Sequence, residues 1–321
     1  MTSIEEVADH LPDPVVPVGA YLAGHGLSPR RVQIHERYLG FREIRLDPHR
    51  TWPDQAVAAA AGLSRLASRR ADVHYVLQAR TMPVAAPHPL NPLQEVRRRL
   101  GLTHAVAVCV SQQACASALL AVELAGRLLT QDGDRDGLVL VLTGEKAFTT
   151  GAQIISDTGV MGEGTAAVLV GIRDDSGDRM LSYTSRSHGD YRPSAGSLAD
   201  ASACLHEAYP DALVDVYLRA VAAAGLRPAD VDWVLPHHAN RLAWQRVTRR
   251  IGLRDPERVL LGNLPRFGHC FGADSFLNYA TLRRSGSLRR GEHYVMTAVG
   301  AGVTFATSGL GATFAAMVFR H

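Results

Sequence analysis

Four short segments of this chain combine residue types that can do covalent chemistry. The first is Ser111-Gln-Gln-Ala-Cys115-Ala-Ser117. A β-branched apolar run ends near Val110 and an apolar helical stretch begins at Ala116, which puts Cys115 where a strand turns into a helix N-terminus. Unpaired N–H groups and the positive end of the helix dipole favour a thiolate there. Such a thiolate can attack a thioester while a nearby backbone N–H holds the developing oxyanion. A small buried core cysteine is the bland alternative.

The second segment, Leu235-Pro-His237-His238-Ala-Asn240-Arg241, follows an apolar strand. Ligands meet a parallel sheet at the carboxyl ends of its strands, so one of these histidines can act as a base or donate to a thioester carbonyl. Loop histidines that satisfy backbone groups are the other possibility. The third segment is Gly268-His269-Cys-Phe-Gly272-Ala-Asp274-Ser275. His269 or Asp274 can complete a triad by orienting a base, and Asp274 can equally be a helix N-cap. The fourth, Val299-Gly-Ala-Gly302-Val-Thr304, is a glycine-rich turn after a strand. Without a P-loop lysine or GxGxxG spacing, it suits close backbone approach to a carbonyl better than phosphate binding.

These segments need a scaffold, and the sequence supplies one twice. Ala71-Asp-Val-His-Tyr-Val-Leu77 and Ala229-Asp-Val-Asp-Trp-Val-Leu235 agree at five of seven positions and each follows an Ala-rich helical stretch, Ala56–Arg69 and Tyr217–Gly225. The matching context predicts a duplicated α/β domain. Val106–Val110, Leu138–Leu142, Ala166–Gly171, Met180–Thr184, Tyr294–Ala298 and Ala312–Phe319 read as strands. The runs at 106–110 and 138–142 read as strands buried on both faces. Ala116–Leu129 is apolar nearly all round and reads as a buried helix, with a second apolar helix over Phe276–Leu282. Ser185–Ser197, rich in glycine, proline and polar residues, reads as the bridge between halves.

Composition sets outer limits. A chain of 321 residues with 46% hydrophobic and 20% charged residues can fill a large core. No apolar run approaches membrane-spanning length, and Met1–Pro14 is acidic rather than a secretion signal, so a cytoplasmic protein without membrane contact is expected. Cys109, Cys115, Cys204 and Cys270 form no CxxC pair, which argues against a zinc site or a disulfide framework. A net charge of +3 is too small to imply nucleic-acid binding. Lys146 is the single lysine among 34 basic residues. The arginine clusters at 97–99, 249–250, 283–284 and 289–290 read as solvated faces, or as a patch receiving an acidic protein or a phosphate.

Taken in order, the segments resemble the β-ketoacyl-acyl-carrier-protein synthase III family of the thiolase superfamily over nearly the full length. Leu39-Gly-Phe-Arg42 resembles an early element of that family, and Gln113-Ala-Cys115-Ala-Ser117 its nucleophile segment. Gly144-Glu145 resembles the end of the next strand, and Met161-Gly-Glu-Gly-Thr-Ala166 a GDGA turn. His237-His-Ala-Asn240 resembles its HQAN motif with His238 in place of Gln, and Gly300-Ala-Gly302 its triple-glycine loop. The resemblance implies a thiolase-like, duplicated five-layer α-β-α-β-α fold, with residues 1–175 and 176–321 as the two halves, and usually a homodimer. It implies that Cys115 takes an acyl group from coenzyme A or an acyl carrier protein. His237 would act at the thioester carbonyl, and the N–H groups of Cys115 and Gly302 would form the oxyanion hole. No permanently bound cofactor or metal is implied.

A second position departs from the family, with more consequence than His238. Condensing members carry Gly-Asn where this chain has Gly268-His269, and that Asn helps to hold the enolate formed by decarboxylation. Two arrangements follow. His269 can replace the Asn in a Cys-His-His set that still decarboxylates, or Asp274 can orient His237 in a Cys-His-Asp set. A carboxylate behind the imidazole makes a stronger base toward a hydroxyl or amine. The expected activity is therefore acyl transfer from Cys115 to an O or N nucleophile of a secondary-metabolite acceptor, as in the family's acyltransferase-type members. Decarboxylative condensation is the alternative.

Overall fold

The computed structural model describes residues 1–82, 89–155, 158–173, 177–188, 198–301 and 311–321. Its main sheet contains nine strands: β1 (Ser3–His10), β2 (Val73–Ala79), β3 (Val106–Val110), β4 (Leu138–Thr143), β5 (Thr165–Gly171), β6 (Asp178–His188), β7 (Trp233–Leu235), β8 (His293–Ala301) and β9 (Ala312–Arg320). Their order is β7-β8-β9-β6-β1-β5-β4-β2-β3. Outward from β1, the pairings with β5, β4, β2 and β3 run antiparallel, antiparallel, parallel, parallel. Outward from β6, those with β9, β8 and β7 repeat the pattern, and a parallel bridge from Val234 to Val259 stands where a further strand would pair. β2 and β7 thus hold equivalent places, and they are the two copies of the sequence repeat. The halves join along β1 and β6, at Ser3–Arg179 and Ile4–Asp178.

The apolar runs explain the layering. All six residues of β4 are buried. Val139 and Val141 face one core, whereas Leu138, Leu140 and Leu142 face another. That is the period of two expected of a strand covered on both sides. The central core is built around helices α3 (Ser117–Asp132) and α6 (Asp274–Arg284). Leu119, Val122, Phe276 and Leu277 pack there against Leu77 and Val168 of one half and Met296 and Phe319 of the other. Helices α1 (Trp52–Ala61) and α2 (Pro92–Arg99) cover the outer face of the first half. Helices α4 (Leu198–Ala223) and α5 (Arg241–Thr248) cover that of the second. The result is the α-β-α-β-α arrangement.

Several elements differ from the sequence expectation. β3 is not buried on both faces. It is the last strand of the sheet, with Val106 53% and Val108 41% exposed. The helix read over Ala56–Arg69 is two: Thr51 forms a capping box with Asp54 that starts α1 early, and Gly62 ends it before a short helix at Ser64–Ser68. Tyr217–Gly225 largely forms the end of the 26-residue α4. The bridge read over Ser185–Ser197 begins later, because β6 runs through His188, and residues 189–197 lie outside the described residues. The 175/176 division also falls outside them. Among the described residues, no helix is long and apolar enough to cross a membrane.

Candidate active site

Cys115 lies in a single turn, Ala114–Ala116, between β3 and α3. Ala114 adopts φ +46°, a left-handed conformation that an L side chain rarely takes. The turn is held because Ala116 N–H donates to the Gln113 carbonyl at 3.0 Å and Gln113 N–H donates to Ser117 Oγ at 3.2 Å. Gly300 lets β8 press against it, since a Cβ there would stand 1.7 Å from the Gln113 carbonyl oxygen. Thr81, just beyond β2, donates its hydroxyl to the Cys115 sulfur at 3.2 Å. Thr81 is itself fixed by the buried carboxylate of Glu145, which accepts its backbone N–H at 2.7 Å.

His269 faces the same sulfur. Its Nε2 is 3.6 Å from Cys115 Sγ, and its Nδ1 is hydrogen-bonded to the Asp274 carboxylate. The glycine-rich turn after Val160 holds this histidine in place. His269 N–H donates to the Val160 carbonyl at 2.9 Å and Gly162 N–H donates to the His269 carbonyl at 3.0 Å. Both approaches demand glycine: a Cβ on Gly162 would sit 2.0 Å from the Phe267 carbonyl, and Gly268 adopts φ +69°. Phe271, at φ +56°, stacks on the His269 ring and reverses the chain so that Asp274 comes back beneath it. Ala114 and Phe271 are the only non-glycine residues of positive φ among the described residues, and both adjoin the site.

Asp274 is therefore not the partner of His237, and the Cys-His-Asp set expected around His237 is corrected to one around His269. Nor does Asp274 act as the N-cap of α6. It is the first residue of that helix, and its carboxylate accepts from Cys270 N–H at 2.7 Å and His238 N–H at 2.6 Å as well as from His269. The charges agree with this pairing. Burial opposes ionisation of Asp274, but His238 and His269 hold its carboxyl at about 2. Burial alone would lower His269, yet the Asp274 charge and hydrogen bond, with Cys115 on the other side, raise it to about 10.

His237 has a different environment. Its Nε2 is hydrogen-bonded to the hydroxyl of Tyr209 on α4, and its Nδ1 has no hydrogen-bond partner among the described residues. Burial, reinforced by the neighbouring His269, pushes it down to about 3 against the pull of Asp274. At neutral pH it is an uncharged hydrogen-bonding group. Trp244 donates its indole N–H to the His237 carbonyl at 2.8 Å, and Asn240 caps α5 through Ala243 N–H at 2.8 Å, which fixes the loop. Nothing in the sequence singles out Tyr209, which sits beside Pro210 inside a helix. Thr81 is equally unmarked, and Glu145 is marked only by the resemblance of Gly144-Glu145 to the end of a strand, not as the acceptor that fixes Thr81.

Cys115, His237, His269 and Tyr209 all line one cavity of about 500 Å³. Its other walls are mainly apolar, with Leu39, Met82, Ile155, Met161, Phe271 and Val299. That suits an acyl chain beside a sulfur nucleophile. Gly302 lies outside the described residues, as do residues 83–88, which follow Met82 of the cavity wall in the chain. Among the described residues, no group of three or more His, Cys, Asp and Glu side chains could hold a metal ion.

Residues 221–312 match the family described as 3-oxoacyl-[acyl-carrier-protein (ACP)] synthase III, C terminal. A β-ketoacyl-[acyl-carrier-protein] synthase III from Laribacter hongkongensis is 28% identical over 276 residues, which cover 78% of this chain and 81% of that one. Among solved structures, a 3-oxoacyl-[acyl-carrier-protein] synthase III from Aquifex aeolicus superposes with a TM-score of 0.80 at 20% identity, covering 100% of both chains. An acyltransferase, ChlB3, superposes with a TM-score of 0.82 at 20% identity, covering 99% of this chain and 97% of that one.

Proposed function

We propose that this chain, a β-ketoacyl-[acyl-carrier-protein] synthase III-like protein of the thiolase fold, is an acyltransferase. It loads an acyl group from a coenzyme A or acyl-carrier-protein thioester onto Cys115. It then passes the group to an oxygen or nitrogen nucleophile of a small secondary-metabolite acceptor. The observation that carries this reading is His269 set between Asp274 and the Cys115 sulfur.

The proton balance closes over the two half-reactions. In loading, the Cys115 thiolate attacks the donor carbonyl. The donor's sulfur leaves and takes the proton of the His269 imidazolium. The neutral His269, still oriented by Asp274, then removes a proton from the acceptor O–H or N–H as that group attacks the Cys115 thioester. Cys115 departs as a thiolate and again faces a protonated His269. The backbone N–H groups of Cys115 and Gly302 are the proposed oxyanion hole in both halves. His237, neutral and engaged by Tyr209, takes no proton. A homodimer formed through the open edge of β3 belongs to the same reading.

Decarboxylative condensation with a malonyl thioester is the second reading, and the charge of His269 favours it. An imidazolium held protonated is also a donor that an enolate oxygen can use. One experiment separates the two. Wild-type protein is given acetyl-CoA, then malonyl-CoA; acyl mass on Cys115 and carbon dioxide are followed together. Acyl transfer predicts Cys115 acylation with little carbon dioxide. Brisk carbon dioxide release that is lost in His269→Ala and kept in Asp274→Asn would overturn it.

A further inference from the structure

His238 is buried, adjoins His237 in the chain and takes no part in the steps above. Its neighbours nevertheless fix its protons. Nδ1 lies 2.8 Å from the Gly268 carbonyl oxygen and 3.3 Å from Oδ1 of Asp274. Nε2 lies 3.1 Å from Oδ1 of Asn278. That amide cannot be turned round to offer its NH₂ to the ring. Its Nδ2 donates to the Pro236 carbonyl at 2.7 Å, and its Oδ1 accepts from Asn263 at 2.9 Å. Reversal would set the Asn278 and Pro236 oxygens face to face. Each ring nitrogen of His238 therefore meets an acceptor, and only the imidazolium carries a proton on both.

We propose that His238 is a positioning residue that acts as a buried imidazolium, keeping Asp274 ionised and aimed at His269 and thereby favouring the thiolate of Cys115. The inference rests on the Cys115–His269–Asp274 assignment. Buried charges persist when they are paired and hydrogen-bonded. His238, Asp274, His269 and Cys115 then alternate in sign, and the row has no net charge only when Cys115 is a thiolate. Neutralise His238 and the remaining three carry one excess negative charge, which Cys115 relieves by taking up a proton. Of the other titratable groups around this row, His237, Tyr209 and Cys270 supply no compensating charge, since burial holds the first unprotonated and the other two protonated. The Glu145 carboxylate behind Thr81 is paired with Arg80 at 3.6 Å.

His238→Gln tests this, because it keeps the backbone N–H to Asp274 and a side-chain donor but removes the charge. Alkylation of Cys115 by iodoacetamide, followed on its own peptide by mass spectrometry across pH, should shift to higher pH by at least about one unit, near tenfold slower at pH 7. An unchanged profile in folded protein overturns the proposal. Should that variant fail to fold, ¹⁵N-histidine NMR of the wild type decides: both His238 nitrogens protonated at pH 8 supports it, and one bare nitrogen at pH 7 overturns it. Neither readout involves an acyl donor. A wild type that never acquires acyl mass on Cys115 would sink the acyltransferase reading and leave this test standing.

Discussion

Asp274 lies on Nδ1 of His269, five residues back along the chain, and leaves His237 without a carboxylate among the described residues. The loop between them makes this possible, since Phe271 at φ +56° folds the carboxylate under the imidazole. Of two histidines lining one cavity, His269 is held protonated and the other neutral. Such a separation divides proton transfer from hydrogen bonding.

The first prediction isolates the carboxylate. Asp274→Asn keeps the shape but removes the charge that orients and supports His269. Discharge of acyl-Cys115 to an acceptor amine or alcohol should fall by about 10²- to 10⁴-fold. His237→Asn should cost far less in the same assay. Single-turnover mass spectrometry measures both. Equal losses in the two variants would move the base function back to His237.

The second concerns pH. His269 is raised in the folded protein to about 10 from the ordinary 6.5. The stability it contributes is therefore complete below about 6.5 and is lost as pH rises toward 10. Asp274 is depressed to about 2 from 3.8, so its contribution is present above about 3.8 and lost as pH falls toward 2. Thermal melts should be flat between pH 4 and 6.5 as far as this pair is concerned, with Asp274→Asn removing part of the decline on either side. Once Cys115 is acylated, its share in raising His269 is gone, so transfer to a fixed acceptor should quicken with rising pH through neutrality. A transfer rate that falls from pH 6 to pH 8 would contradict the assignment.

The third prediction addresses the nucleophile turn. A methyl group on Gly300 would stand 1.7 Å from the Gln113 carbonyl oxygen and 3.1 Å from the Ala114 side chain. Gly300→Ala must displace the turn that presents Cys115. It should cut acyl loading at least about tenfold while far-ultraviolet circular dichroism stays unchanged, because a shift of about an ångström is enough to spoil attack geometry. Ala114→Gly, which relieves the φ of +46°, should leave melting temperature unchanged or slightly raised.

The sequence revealed what depends on local pattern. The two copies at 71–77 and 229–235 mark β2 and β7 because each is a buried strand in the same place of a repeated half. Cys115 was legible because a strand, a short turn and an apolar helix follow one another around it. The partner of Asp274 was not, because it depends on a phenylalanine in a conformation its type seldom adopts. Tyr209 was hidden for another reason. It reaches His237 across the packing of α4 against the second half, and no spacing along the chain encodes that approach.

The last prediction follows from β3. Its run Val106-Ala-Val-Cys-Val110 has the composition of an interior strand, yet among the described residues it ends the sheet with one side unpaired and with Val106 and Val108 exposed. A free apolar edge is an invitation to association, and soluble chains blunt it with charge, proline or a cover. None of those residue types occurs within β3. A second copy adding its own β3 would pair the open backbone and cover both valines. Light scattering should give twice the chain mass, and Val108→Asp or Val108→Pro should shift the protein to monomer without loss of its helix content. A wild type that remains monomeric at tens of micromolar would remove β3 as the dimer contact and leave its apolar edge unexplained.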